Sequence, residues 1–262
     1  IKEVFGTTDI DKDKGEEFLD RICSTKIEQV IEDGYEKLAA DLGTYRNAMV
    51  MKREKITNRA IFVAKKRYIL NTLNSEGVHY DTPKVSVTGL ESVRSSTPEI
   101  CRDKLKKCFE IIMNTDEQTT QDFIKDFKEL FRTLDPIAIA KTSGVNELKK
   151  YQDKSSIYRK GTPMHVRGSL MYNHFLKEKG LDKKFETIQG GDKVKLLYLK
   201  VPNPIRENAI SVPGLLPKQL GLHDYVDTEL QFDKVFLSPI QSILDAVGWS
   251  AEKVNTLDDF FS

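Results

Sequence analysis

The sequence predicts an α+β fold: antiparallel strands with one long helix, then a mostly helical part with a small β element. Three observations carry this. Apolar residues recur at three- and four-residue steps from Leu19 to Leu38, as on one face of an amphipathic helix. From Met49 to Leu90 the pattern shifts to short β-branched and aromatic runs separated by turn residues, which read as strands. After Pro98 the helical spacing returns and dominates.

Taken in order, the polar GTTDIDKDKG is a loop, and GEEFLDRICSTKIEQVIEDGYEKLAADLG is a helix of about 24 residues. Its face is Leu19, Ile22, Cys23, Ile27, Val30, Ile31, Tyr35 and Leu38, and Gly43 is its stop. Acids crowd its first turn, as the helix dipole prefers. MVMKREKI, RAIFVAKKRYILNTL, VHYD and PKVSVTGL read as strands, with Asn74 to Gly77 a hairpin turn. Thr97 is placed as N-cap with Pro98 at the first helical position. Leu105, Cys108, Phe109 and Ile112 form the apolar face that follows. Phe123, Phe127, Leu130, Phe131 and Leu134 make the stripe of a second helix, read as core packing. A short helix at Asn146 to Tyr151, a helix in HVRGSLMYNHFLKEKG, an alternating strand KVKLLYLKV, a turn at VPGLLPK and a late helix SPIQSILDAVGW complete the pass.

Composition narrows the class. The chain has 262 residues, 39% hydrophobic and 31% charged, with a formal net charge of +1. The charge is uneven. Residues 51–71 hold seven Lys or Arg against Glu54 alone, and residues 141–200 hold fourteen basic against six acidic. Residues 1–20 and 224–262 are net acidic. The two basic blocks suit one face for a polyanion, and mixed solvated surface is the alternative. Cys23, Cys101 and Cys108 form no zinc spacing, and the simplest reading is a reduced, intracellular protein. No apolar run reaches the roughly 18 residues of a membrane span. The chain opens on Ile1 rather than Met, so a piece of a longer protein is expected.

In AIFVAKKRYILN three cations and a tyrosine interrupt an apolar run. Read as one strand, it sets Lys66 and Tyr68 on one face and Lys65 and Arg67 on the other. An ammonium and a phenol on one face suit a phosphate or a groove edge. An edge strand whose lysines discourage aggregation fits equally well.

MVMKREKI followed by FVAKKRYIL resembles the end of the palm in family B DNA polymerases. PKVSVTGLESVRSSTPEICRDKL is similar to the palm-to-thumb passage of the T-even-like bacteriophage members, and PMHVRGSLMYN to their thumb. The resemblance runs from about Glu16 to the last residue. It implies a palm end over 1–92, a thumb over 93–250 and a clamp-binding tail over 251–262. It also implies that Lys66, supported by Lys65, Arg67 and Tyr68, lies against the minor groove near the primer terminus. A lysine there reads acceptors common to every correct pair. Arg94, Ser95 and Ser96 suit a backbone phosphate beside a helix N-terminus, with plain capping the alternative for the serines. Arg159, Lys160, His165 and Arg167 would grip the duplex behind the active site, although a lone histidine is more often a surface residue. Glu54 stands where the family carries an acid near its metals, whereas Lys52 departs from the pattern.

The family's Asp-x-x-Ser-Leu-Tyr and Asp-Thr-Asp motifs do not occur, and VFGTTDID has Thr-Thr-Asp instead. The resemblance therefore implies Mg2+ in the full enzyme and none on this stretch, with catalytic carboxylates elsewhere. NTLDDFFS looks like a sliding-clamp peptide of the Gln-x-x-Leu-x-x-Phe-Phe type, carried by Leu257, Phe260 and Phe261 with Val254 at the glutamine position. Folding of the two phenylalanines onto the body is the alternative. The implied partners are primer–template DNA, the sliding clamp and the remaining N-terminal part of a polymerase, with no membrane. The implied location is the cytoplasm of a phage-infected host. Two other classes stand beside this one: a stand-alone clamp- or DNA-binding interaction protein without enzymatic activity, and a helical scaffold with solvated basic patches.

Overall fold

The computed structural model describes residues 11–90, 94–153 and 155–253, a mixture of helices and antiparallel sheets. The chain divides into two compact units. One comprises residues 1–61 and 68–86, the other 62–67 and 87–262.

In the first unit α1 (Lys12–Ile22) continues through a wide turn at Cys23–Ile27 into α2 (Glu28–Asp41). The Asp11 carboxylate caps it by accepting from the Asp13 and Lys14 amides. This is the long helix that the spacing predicts, but its stripe is not covered. Leu19, Ile27, Val30 and Leu38 are exposed, as are Leu42, Val50 and Met51 beyond. Arg53 fastens the following segment, its guanidinium to Asp20 and its amide to Glu28 Oε1 at 3.1 Å. That amide is spent on a side chain, so MVMKREKI is mostly not a strand, and β1 (Lys55–Ala64) begins after it.

β2 (Arg67–Ser75) and β3 (Val78–Thr88) complete a three-stranded sheet in the order β1-β2-β3. The Asn74–Gly77 turn stands as expected, with Glu76 and Gly77 both at positive φ, the geometry that suits a two-residue hairpin. VHYD and PKVSVTGL are one strand rather than two, because Pro83 lies on an edge strand where a missing N–H is tolerated. The central strand buries polar side chains. Glu16, only 5% exposed, accepts from Asn74 Nδ2 at 3.0 Å and pairs with His79 Nδ1 at 2.8 Å.

The second unit starts its helices with α3 (Glu99–Asn114) and α4 (Glu117–Arg132). Pro98 rather than Thr97 takes the N-cap position of α3, one residue later than the sequence suggests. Phe127 and Phe131 of α4 meet Phe232 and Phe236 with ring centroids 4.7–5.7 Å apart, an aromatic core cluster as expected. Leu130, placed in that stripe, is 42% exposed instead. α5 (Pro136–Ile139) leads into β4 (Lys141–Gly144). α6 (Leu148–Tyr151) and a ribbon of β5 (Gln152–Asp153) with β6 (Ile157–Tyr158) precede α7 (Met164–Glu178). β7 (Lys193–Tyr198) lies between β4 and β8 (Ala209–Val212).

α7 packs on β8 at Gly168, where a Cβ would stand 2.7 Å from the Ser211 amide nitrogen. The chain then runs through α8 (Thr228–Phe232), a wide turn at Asp233–Leu237 and α9 (Ser238–Val247). Gln231, fully buried, joins α8 to the sheet by donating to the Ile139 carbonyl and accepting from the Tyr198 amide.

The Glu16–His79 pair carries a pH dependence. The hydrogen bond with Glu16 raises the His79 pKa; desolvation opposes it, and the negative charges of Glu16, Asp81 and Asp13 add to the rise. The pair's stabilisation is therefore complete below the unfolded histidine value of about 6.5 and is lost as pH rises through the higher folded value. Denaturant titrations on either side of that value are expected to show wild type losing stability with rising pH, and His79→Gln losing less.

Candidate nucleic-acid interface

The KKRY segment is not one strand. β1 ends at Ala64, β2 begins at Arg67, and Lys65 and Lys66 form the two-residue turn between them. Lys66 has φ 61, in the left-handed region. The alternation that would put Lys66 and Tyr68 on one face therefore does not apply. Both lysines are exposed on the turn, while Arg67 and Tyr68 are half-buried at the start of β2. Two charges at a hairpin tip need no anion to explain their solvation. They do place two ammonium groups side by side in sequence on an exposed turn.

Arg94 and Ser96 line a cavity of roughly 220 Å³ together with Thr97, Lys141, Lys234, Val235, Ser238 and Pro239. Ser95 is exposed nearby in sequence but does not line it. The Ser96 carbonyl accepts from the Thr142 amide at 2.9 Å, which ties the loop to β4. Three cations and several hydroxyls thus converge beside the start of α3, where helix N–H groups also favour an anion. Lys234 keeps an ion pair with Asp233 at 3.0 Å, whose hydrogen bond raises the lysine's pKa. Lys141 and Lys234 were not singled out from the sequence. They lie 47 and 140 residues beyond Arg94, and only the sheet and the late helix bring them together.

The four residues from Arg159 to Arg167 separate. Arg159 and Lys160 are exposed on the loop before α7, where the Arg159 carbonyl accepts from the Thr162 hydroxyl at 2.6 Å. His165 and Arg167 lie on the first turns of α7, and helical residues two apart do not share a face. Burial lowers the His165 pKa against a hydrogen bond with the Gly144 backbone, so its ring is neutral at pH 7 and adds no attraction for phosphate. Arg167 is engaged internally. Its Nη2 donates to Asn208 Oδ1, its Nε lies 3.6 Å from Glu207 Oε2, and its guanidinium sits 5.7 Å from the Tyr158 ring. Tyr158 donates to Glu207 Oε1 at 2.6 Å, and that bond raises the phenol's pKa.

The tail residues Leu257, Phe260 and Phe261 lie outside the described residues. Their approach is anchored: the Ser250 amide donates to Glu117 Oε1 at 2.7 Å, Gln121 Nε2 donates to the Ser250 carbonyl, and Lys128 pairs with Glu252 at 3.2 Å. Among the described residues no group of three His, Cys, Asp or Glu side chains could hold a metal ion. Glu54 is 71% exposed beside Lys55. No helix among the described residues is long and apolar enough to cross a membrane.

The described residues thus form a two-unit α+β chain with a basic cavity and a displayed lysine pair. Residues 21–245 match DNA polymerase family B, and the chain belongs to that family. It is similar to the DNA-directed DNA polymerase of Enterobacteria phage T4, 29% identical over 257 residues. It is also similar to the DNA-directed DNA polymerase of Escherichia phage RB69, 30% identical over 258 residues. Each match covers 94% of this chain and 28% of the relative, so the chain spans little more than a quarter of the length of these relatives.

The geometry separates the exposed Arg159 from the internally engaged Arg167. On duplex DNA, Arg159→Ala is expected to lower the slope of log affinity against log salt by about one, as for one lost phosphate contact. Arg167→Ala should weaken binding through the loop it braces and leave that slope unchanged. Fluorescence titrations across a salt series measure both.

Proposed function

We propose that this chain is the palm-end and thumb portion of a bacteriophage replicative DNA-directed DNA polymerase. In this role it grips primer–template duplex in the cytoplasm of the infected host. Family membership together with the three-cation cavity is the observation that carries the reading. Each cation that neutralises a phosphate releases condensed counterions, which gives sequence-independent, salt-sensitive affinity. Arg94, Lys141 and Lys234 with Ser96 are suited to one backbone phosphate, and Arg159 and Lys160 to another. The Lys65–Lys66 turn, with Arg67 and Tyr68 behind it, is the element proposed for the minor groove near the primer end. Ser95 and His165 are neutral positions at the margin of this grip, able to donate or accept hydrogen bonds without adding charge.

The bond-making step is assigned to carboxylates of the remaining polymerase, since the side chains described here offer no metal cradle. The exposed apolar face of α1 and α2 is the natural seat for that remaining part, because an apolar patch of this extent marks an interaction surface. Leu257, Phe260 and Phe261 are proposed to dock on a sliding clamp as an i, i+3, i+4 plug, held at its root by Glu117, Gln121 and Lys128.

Primer–template binding is expected to fall steeply with salt, and Arg94→Ala with Lys141→Ala and Lys234→Ala to lower the slope by about one. An unchanged slope removes the cavity from the interface. Deletion of Leu257 to Ser262 should abolish clamp binding and leave duplex affinity intact. Clamp affinity that survives the deletion overturns the tail assignment.

A further inference from the structure

Gly89 follows the end of β3 with φ 68, and a Cβ there would stand 2.1 Å from the Lys66 carbonyl oxygen. It would also lie 3.2 Å from the Lys66 carbonyl carbon and 3.3 Å from Arg67 Cγ. The first distance is impossible for a real side chain, and its obstacle is backbone that cannot swing away. Leu90, fully buried, fixes the chain immediately after Gly89. Lys66 meanwhile holds a left-handed backbone, which L-residues other than Asn and Asp rarely adopt and which persists only where the surroundings over-determine it. Nothing in a Lys-Lys pair selects that conformation. The close approach of the Gly89 backbone to the Lys66 peptide is the tertiary contact at hand.

We infer that Gly89 is a positioning residue for the lysine turn: its bare backbone packs against the Lys66 peptide, holds it left-handed, and so fixes where the Lys65 and Lys66 ammonium groups project. The consequence for DNA rests on the proposed duplex contact of that turn. The packing itself does not.

Two measurements test it. Duplex affinity across a salt series is compared for wild type, Gly89→Ala, the pair Lys65→Ala with Lys66→Ala, and the triple combination. Gly89→Ala is expected to lose most of what the lysine pair loses, with a matching drop in salt slope, and the triple variant to bind no more weakly than the lysine pair. Losses that multiply in the triple variant overturn the positioning role and leave the duplex contact standing. A lysine-pair variant that binds like wild type overturns the duplex contact instead.

The second measurement needs no DNA and does not depend on Gly89→Ala folding. Lys66→Gly accepts a left-handed backbone without strain, so it is expected to melt above Lys66→Ala, the reverse of the usual ranking of glycine and alanine. Equal melting, or Lys66→Ala melting higher, means that the turn is not held left-handed and removes the inference.

Discussion

The seating of α7 on β8 is the constraint on which most of the second unit depends. At Gly168 the helix backbone comes so close to Ser211 and Ile210 that no side chain fits between them. The contact is reinforced by two hydroxyls, since Ser169 and Ser211 both donate to the His165 carbonyl, at 2.7 and 2.9 Å. One carbonyl near the start of α7 is thereby bonded from its own helix and from the sheet. With the helix in that place, Arg167 reaches Asn208 and Glu207 just before β8, and Glu207 in turn receives the Tyr158 hydroxyl. The ribbon and the loop bearing Arg159 and Lys160 take their position from this chain of contacts. Any residue larger than glycine would push the helix off the sheet, an overpacking change of the kind that costs about 1–3 kcal/mol.

The cations of the chain divide by what surrounds them. Some belong to the fold. Arg53 ties α1 to the segment before β1, Arg132 bridges α4 to Glu229 of α8 at 2.6 Å, and Arg167 braces the loops around β6. Others stand exposed on turns, as Lys65, Lys66, Arg159 and Lys160 do, and the cavity lies between the two cases, since its Lys234 is itself paired with Asp233. A net charge of +1 conceals this difference, because a sum cannot tell a guanidinium locked to a carboxylate from an ammonium in water. A paired, half-buried arginine has little left to offer a phosphate. An exposed lysine keeps its whole field, which is why its contribution to polyanion binding is also the one that salt removes. The cysteines stand outside this division: burial pushes the Cys101 and Cys108 thiols up to about 12, and both are packing residues.

How much of this was legible in the sequence depends on the length of the pattern. The helix from Lys12 to Asp41 and those at Glu99–Asn114, Glu117–Arg132 and Met164–Glu178 stood out because apolar spacing over three or more turns has few rivals. β7 was visible by alternation. β4 and β8, each of four residues, were not, and β8 is buried at all four, so it has no alternation to read. The hairpin at Glu76–Gly77 carried a recognisable turn glycine, whereas the one at Lys65–Lys66 did not. The left-handed backbone of Lys66 has no glycine or asparagine to announce it, and the contact proposed to hold it comes from Gly89, more than twenty residues away. The candidate site followed the same rule. Arg94 and Ser96 were found beside a helix start, but Lys141 and Lys234 enter their cavity only through tertiary folding. The role of Arg167 could not be separated from that of Arg159 by spacing alone.

The uncovered face of α1 and α2 follows from the same physics. A helix of this length keeps a long apolar stripe only when something buries it, because a wholly exposed stripe gains nothing from its pattern and invites aggregation. Here polar anchors hold the helix: Asp11 caps the start, Asp20 and Glu28 hold Arg53, and Glu16 holds Asn74 and His79. These contacts fasten the helix and the segment that follows it through their charged and amide groups, and leave Leu19, Ile27, Val30 and Leu38 to water. The first unit thus buries Ile56, Ile61, Ile69 and Leu73 in and around its sheet while part of its helix stripe stays exposed, which is the feature on which the proposed seat for more protein rests. In the proposed polymerase that protein carries the metal-binding carboxylates.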